Sequence, residues 1–286
     1  MSDNPKNIKP YKRLLTIQDI SCVGQCSLTV ALPILSACGH ETAVLPSAVL
    51  SCHTAFNHFS FRDLTEDMPI IGQYWNKENI KFDAFYIGYL GNLNQIHYVK
   101  NIMKSTANAN SLKIIDPAMA DDGKLYTGFD NSYVEMMRKL CEEADYLLPN
   151  VTELCLLTDT NYQEEYEESY IDTMLSKLKA FCSGTIILTG INFAADYTGV
   201  IIYDGKNKSY YKHKKLPQNC HGTGDVFAST FTGVLLKNNN VYKAVEIACD
   251  YTLTCMIHTI DDKSHWYGTK FETTLPDLIL RLSKDN

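Results

Sequence analysis

Short β-branched or aliphatic runs alternate along this chain with longer amphipathic stretches, and that alternation confines the fold to parallel strands joined by crossover helices. Strands are read at Leu14–Gln18, Thr42–Pro46, Ala84–Gly88, Lys113–Asp116, Tyr146–Leu148 and Thr185–Thr189. Helical periodicity is clearest where Ile171, Met174, Leu175 and Leu178, and again Leu275, Leu278, Ile279 and Leu282, follow the spacing of one buried face. Helices also fit Ser27–Cys38, Asn92–Ala107, Ser132–Ala144, Asp225–Lys237 and Tyr242–His258, with Pro33 expected to kink the first. From Gly199 to Lys212 the pattern changes to two short β runs around Asp204-Gly205-Lys206-Asn207, an antiparallel hairpin near one sheet edge, so the sheet is mixed. The acidic run Glu164, Glu165, Glu167 and Glu168 reads as a solvated helix start.

With 286 residues and 45% hydrophobic content, the chain can bury one large core, and residues 14–286 are read as one domain behind a flexible tail, 1–13. Net charge is −7, so no overall field draws the chain to nucleic acid or to an anionic membrane surface. The longest apolar stretch, around Leu28–Cys38, is too short and interrupted to span a bilayer, and the tail lacks the apolar segment of a signal peptide. Ten cysteines stand singly, many inside apolar runs (among them Cys22, Cys26, Cys38 and Cys141), where a free thiol behaves as a small core residue. The expectation is a reduced, cytoplasmic protein. No Cys-x-x-Cys or His-Glu-x-x-His occurs to support zinc, and Gly199 to Gly205-Lys206 fails the spacing of a phosphate-binding P-loop.

His221-Gly222-Thr223-Gly224-Asp225 opens an apolar helical run. A helix start presents unpaired N–H groups with partial positive charge, and two glycines let a bulky anion approach without a Cβ in the way. The loop suits phosphate. Asp225 then stands out, because a fixed negative charge beside phosphate is repulsive unless it has chemical work, such as taking a proton from an attacking hydroxyl. That conflict points to a kinase, although a capped helix with Asp225 in its first turn accounts for the same residues.

Ligands in open α/β sheets bind beyond the carboxyl ends of the strands. There lie Asp19-Ile20-Ser21, Gly88-Tyr89-Leu90-Gly91-Asn92, Asp116-Pro117-Ala118-Met119 with Asp121, and Pro149-Asn150 with Glu153. Asp116, Asp121, Asn150 and Glu153 could gather around a hydrated magnesium ion. A strand-ending turn at Asp116-Pro117 and a helix cap at Asn150 and Glu153 are the plainer readings.

Gln18 with its turn and Gly24, Ser51-Cys52-His53-Thr54, Gly88-Tyr89-Leu90-Gly91, Asp116-Pro117-Ala118-Met119 with Asp121 and Gly123, Pro149-Asn150 with Glu153, and Gly222-Thr223-Gly224-Asp225 occur in one order and spacing. From about Leu14 to the final helix the chain thereby resembles the pyridoxal kinases of the ribokinase superfamily. The resemblance implies a ribokinase-like three-layer α/β/α sandwich with a mostly parallel central sheet. It also implies a homodimeric phosphotransferase that uses ATP, Mg2+ and a monovalent cation such as K+ to phosphorylate the hydroxymethyl group of pyridoxal, pyridoxine or pyridoxamine. By the same resemblance Asp225 is the catalytic base, and the N–H groups of Gly222, Thr223 and Gly224 form its anion hole. Asp19, Thr54 and Tyr89 line the substrate site, with Thr54 on the pyridine ring. Asp116, Asp121, Asn150, Glu153 and Thr189 face the nucleotide, Asp116 and Glu153 its metal, and Asp121–Asp130 closes over the phosphates; His221 could add positive charge beside the anion hole or be a merely structural histidine. Asp19 stands where these kinases often carry serine and resembles the hydroxymethylpyrimidine kinases of thiamine synthesis instead, so that activity is the alternative. A non-catalytic binder of B6 or nucleotide is a second. Cys220 is read as an inert thiol, with a reversible adduct to an aldehyde substrate as the other possibility.

Overall fold

The computed structural model describes residues 11–194, 196–218 and 220–284; residues 1–10 of the expected tail, 1–13, lie outside the described residues. The strands are β1 (Arg13–Ser21), β2 (Glu41–Leu50), β3 (Phe61–Asp63), β4 (Phe82–Ile87), β5 (Ala107–Ile115), β6 (Ala120–Asp121), β7 (Lys124–Leu125), β8 (Tyr146–Leu147), β9 (Thr185–Ala194), β10 (Tyr197–Tyr203) and β11 (Lys208–Lys214). The helices are α1 (Leu28–Ala37), α2 (Asp67–Lys77), α3 (Leu93–Thr106), α4 (Asn131–Cys141), α5 (Val151–Leu157), α6 (Glu168–Lys179), α7 (Thr223–Asn238), α8 (Val241–Thr259) and α9 (Leu275–Lys284).

Nine strands form one sheet in the order β11-β10-β9-β8-β5-β4-β1-β2-β3, while β6 and β7 pair as a separate hairpin. From β9 to β2 the pairs are parallel, and β9–β10, β10–β11 and β2–β3 are antiparallel. The expected mixed sheet is therefore present, with antiparallel pairing at both edges. Alternation along each strand splits the core into two layers. Leu15, Ile17, Phe85, Ile87, Ile115 and Leu147 pack under α2 to α6, while Leu14, Ala84, Tyr86, Ile114 and Ile187 pack under α1, α7, α8 and α9. Each large aliphatic or aromatic side chain so buried contributes about 1.5–3 kcal/mol of transfer free energy.

The chain leaves β1 to pair β2 on one side and returns as β4 on the other, so the strand order reverses at β1. Open sheets have their ligand crevice at such a reversal. Several element bounds differ from the periodicity. β5 begins six residues before Lys113, running straight out of α3, and β9 extends five residues past Thr189 to feed the hairpin. α2 and β3 are additional: α2 buries only Met68 and Gly72, and β3 is exposed along its length, so neither carries a strong apolar stripe. Pro33 lies within α1.

Candidate active site

Beyond β1 the chain makes a tight turn that glycine alone fits. Gly24 has φ +106°, and a Cβ there would lie 2.1 Å from the His53 ring. That ring is itself pinned: Nε2 donates to the Tyr267 carbonyl at 2.7 Å, and Nδ1 accepts the Ala55 N–H at 3.2 Å. The two partners together require the Nε2–H tautomer. Ser27, at the N-cap position of α1, sits at φ +50°, a positive φ unusual for serine. Its backbone hydrogen-bonds Asp225 and its side chain Asp19, which also accepts from Ser21 Oγ at 3.0 Å. Asp19 is 6% exposed, and burial raises its pKa against the pull of these two hydroxyls.

The α7 loop closes on the same turn. Gly222 has φ +78°, and a Cβ on it would stand 2.0 Å from the Gln25 carbonyl oxygen, so backbone meets backbone here. A Cβ on Gly224 would meet nothing within 4 Å, which leaves the front of the helix open to a ligand. α7 starts at Thr223, two residues before the expected Asp225, and its N-terminus has no side-chain cap. The side-chain cap of the plainer reading is absent, while Asp225 does lie in the first turn as that reading also has it. Asp225, half-buried in the first turn, has its pKa raised to about 7, chiefly by burial, with the negative charge of Asp19 adding and the Ser27 backbone opposing. A carboxyl poised near neutrality beside open N–H donors can accept a proton from an alcohol.

Further along the crevice, Asn150 and Glu153 form a capping box at the start of α5: Asn150 Oδ1 accepts the Glu153 N–H at 2.8 Å, and Glu153 Oε2 accepts the Asn150 N–H at 2.9 Å. Glu153 Oε1 accepts a third N–H, that of Met119, at 3.1 Å. Burial raises the pKa of Glu153 well above the ordinary carboxylate range, and the charge of Asp116 adds to it. Asp116, just past β5, is raised by burial and by Asp225. Among the described residues no three acidic, histidine or cysteine side chains converge closely enough to hold a metal ion by themselves. Thr189 Oγ1 donates to the Pro149 carbonyl at 3.3 Å.

Asp121 lies on the β6–β7 hairpin, whose turn residues Asp122 and Gly123 both have positive φ, as a two-residue hairpin turn requires. Asn150 Nδ2 donates to the Ala120 carbonyl at 2.8 Å and Gly123 N–H to Thr152 Oγ1 at 3.0 Å, so the hairpin is tied at base and tip to α5. Tyr89, at the end of β4, stacks on Phe129, and its hydroxyl pKa is pushed up to about 12 by burial and by Asp19 and Asp63. Thr54 is exposed on the loop after β2, and His221 is exposed at the mouth, its pKa lowered by burial and by His53.

Two features escaped the sequence. His53, Phe56, His221, Trp266 and Tyr267 form an aromatic basin, with Phe56 and Trp266 centroids 4.7 Å apart and His53 and His221 5.7 Å apart. The second is a polar knot in which Asp63 accepts from Thr65, Asn92 and Gln95, fastening β3 to the start of α3. The Gly24 and Gly222 turns are signals for the first, since both glycines make way for the segments that carry the basin. All ten cysteines are free. Cys22 is exposed and Cys26 half-exposed, because both sit on the crevice turn rather than in the core expected of them; Cys220 is half-exposed, with burial raising its thiol pKa.

A reversed parallel sheet that delivers one carboxylate to an open, glycine-fronted helix start is the working arrangement of the ribokinase-like phosphotransferases. Comparison with known proteins narrows this: the phosphomethylpyrimidine kinase model matches residues 41–269, and the chain belongs to that family. It is 35% identical, with a TM-score of 0.89, to a Bacteroides thetaiotaomicron protein solved with pyridoxal and provisionally assigned as a phosphomethylpyrimidine kinase, over 94% of this chain and 96% of that one. Pyridoxal kinase from Lactobacillus plantarum is 30% identical at a TM-score of 0.88, covering 96% and 99% of the two chains. Pyridoxal kinase of Dictyostelium discoideum is 22% identical over 87% of this chain and 86% of its own.

Proposed function

We propose that this chain transfers the γ-phosphoryl group of ATP to the hydroxymethyl oxygen of a B6 vitamer, giving its 5′-phosphate. The observation that carries the reading is Asp225, held near neutral pKa within the first turn of an uncapped helix whose glycine face is open. A pure binder of nucleotide gains nothing from that charge, which weighs against the non-catalytic alternative. Asp225 orients the alcohol and takes its proton as the oxygen attacks in line, while the N–H groups of Gly222, Thr223 and Gly224 stabilise the charge on the transferred group. Asp19, Tyr89 and the His53–Thr54 loop hold the heterocycle, and the aromatic basin excludes water from it. Asp121, Asn150, Thr189 and His221 border the nucleotide.

The carboxylates Asp116 and Glu153 fit a cation, since the neighbouring charges that raise them are other carboxylates. Glu153, with both oxygens taken by backbone N–H groups, would act through water and Asp116 more directly. Bound there with the phosphates, Mg2+ supplies charge neutralisation during transfer. A monovalent cation such as K+, a homodimer and a cytoplasmic location belong to the same proposal. Among the described residues no helix is long and apolar enough to cross a membrane.

Side-by-side turnover of pyridoxal, pyridoxine, pyridoxamine and the aminopyrimidine alcohol, with MgATP, tests the reading. The B6 alcohols are expected to have the higher kcat/KM; preference for the pyrimidine transfers the assignment to thiamine synthesis. Asp225→Asn is expected to lower kcat by about 10²–10⁴-fold while leaving ligand affinity within a few-fold.

A further inference from the structure

Beneath the carboxylates lies a patch of buried polar side chains that the mechanism above does not use. Thr16 and Gln18 on β1, Tyr86 on β4 and Asp116 after β5 alternate onto the same sheet face, and Ser229 reaches them from α7, one turn beyond Asp225. Thr16, Gln18, Tyr86 and Ser229 are each 0% exposed. Room for Gln18 exists only because residue 88 is glycine: a Cβ there would lie 2.8 Å from the Gln18 amide.

Hydrogen bonding in this patch is incomplete in a patterned way. Gln18 Nε2 donates to Thr16 Oγ1 at 2.8 Å, but Gln18 Oε1, the Tyr86 hydroxyl and Ser229 Oγ have no partner in hydrogen-bond geometry. Buried serine and threonine on helices usually bond back to the carbonyl one turn earlier. Thr230, next to Ser229, does so, donating to the Val226 carbonyl at 2.7 Å; Ser229 does not. Its hydroxyl and the Gln18 side chain instead lie against the Tyr86 hydroxyl as weak hydrogen-bond partners that lower its pKa, while burial and the charges of Asp116 and Asp225 raise it. Three fully buried polar atoms that have only one another, outside good hydrogen-bond geometry, cost the fold stability, and such sacrifices concentrate where function requires them.

We infer that Gln18, Tyr86 and Ser229 are positioning residues for phosphoryl transfer, a buried floor of hydroxyl and amide groups that steadies the Asp225 and Asp116 carboxylates as the alcohol proton and the phosphoryl group move. The inference rests on the kinase reading. Through this floor the Tyr86 and Ser229 hydroxyls, which the fold leaves poorly paired, become available to carboxylate charge during turnover, with Gln18 Oε1 as the acceptor that orients them and with no reorganisation of water.

Tyr86→Phe and Ser229→Ala each delete one hydroxyl and little volume. Both are expected to lower kcat about 10-fold or more, with KM for ATP and for the alcohol within about twofold of wild type. Because a poorly paired buried hydroxyl gives the fold little, Tm should stay level or rise, and the double variant should lose less than the product of the two single losses. Steady-state kinetics and thermal unfolding on the same preparations test this; if Tyr86→Phe fails to fold, Ser229→Ala alone decides between the outcomes. Variants with kcat within twofold of an active wild type overturn the inference and leave the kinase intact. A fall in Tm of more than about 5 °C with KM and kcat disturbed together also overturns it, because the hydroxyls are then architectural. A wild-type chain that phosphorylates none of the four alcohols removes the kinase reading and this inference with it.

Discussion

Asp225 and Asp19 show how one side chain sets the chemistry of another. In the ligand-free protein Asp225 is raised to about 7, and Asp19 is among the causes, since two neighbouring carboxylates resist joint ionisation. The base works only when ionised, so kcat/KM is expected to rise with pH through about 7 and level above it. Replacing Asp19 by Asn removes one negative charge and lowers the pKa of Asp225. The acid limb of the pH profile should therefore move down by roughly half a unit, the order of a single partly screened charge. A limb that stays in place would mean that burial alone sets Asp225. Whatever happens to the limb, the ratio of pyridoxal to pyrimidine turnover in Asp19→Asn reports whether this carboxylate selects the ring.

At the scale of elements, glycines decide which segments can meet. Gly222→Ala combines a left-handed φ with a Cβ 2.0 Å from the Gln25 carbonyl, and neither backbone can yield cheaply. Activity should fall at least about 100-fold while the rest of the sheet stays folded, a loss visible as a raised KM for ATP together with a lowered kcat. Gly123→Ala is milder: the obstructing group is the Tyr162 ring, 2.6 Å from the new Cβ, so the β6–β7 tip should shift and KM for ATP rise with little change in Tm. The sequence made these glycines legible as turn and phosphate signals, along with the βα alternation, because both are local patterns. It also made Asn150 and Glu153 legible as a cap, which they are. What it concealed depends on pairs far apart in the chain: His53 with Tyr267, Gly222 with Gln25, Asp63 with Asn92 and Gln95. α2 was hidden for another reason, since most of its surface faces solvent and its periodicity is faint.

For the whole molecule, gathering acids at one end of the sheet makes function a burden on stability. Asp116, Glu153 and Asp225 all have pKa values raised in the native state, and the charges acting on them are other carboxylates. In the unfolded chain they titrate near about 4. Between that value and their native values the folded state binds more protons than the unfolded one, so stability falls as pH rises. Their favourable contribution is complete below about pH 4 and is lost through about 7, where Asp225 ionises. Asp63 and Glu143, whose pKa values are lowered by hydrogen bonds, and His40, lowered by burial, carry the opposite sign at the acid end. Comparing a variant with its parent cancels those terms. Asp116→Asn replaces a carboxyl that must ionise by an amide that cannot, so its Tm relative to wild type should rise by at least about 3 °C between about pH 5 and about pH 8.5. Thermal unfolding of the two ligand-free proteins at both pH values measures this difference. Equal Tm gaps at the two values would show that Asp116 is ionised throughout and that the crevice already accommodates its charge. Added MgATP should narrow the gap at the alkaline pH, because a ligand that neutralises the acids stabilises the wild type by mass action and gains less from the variant.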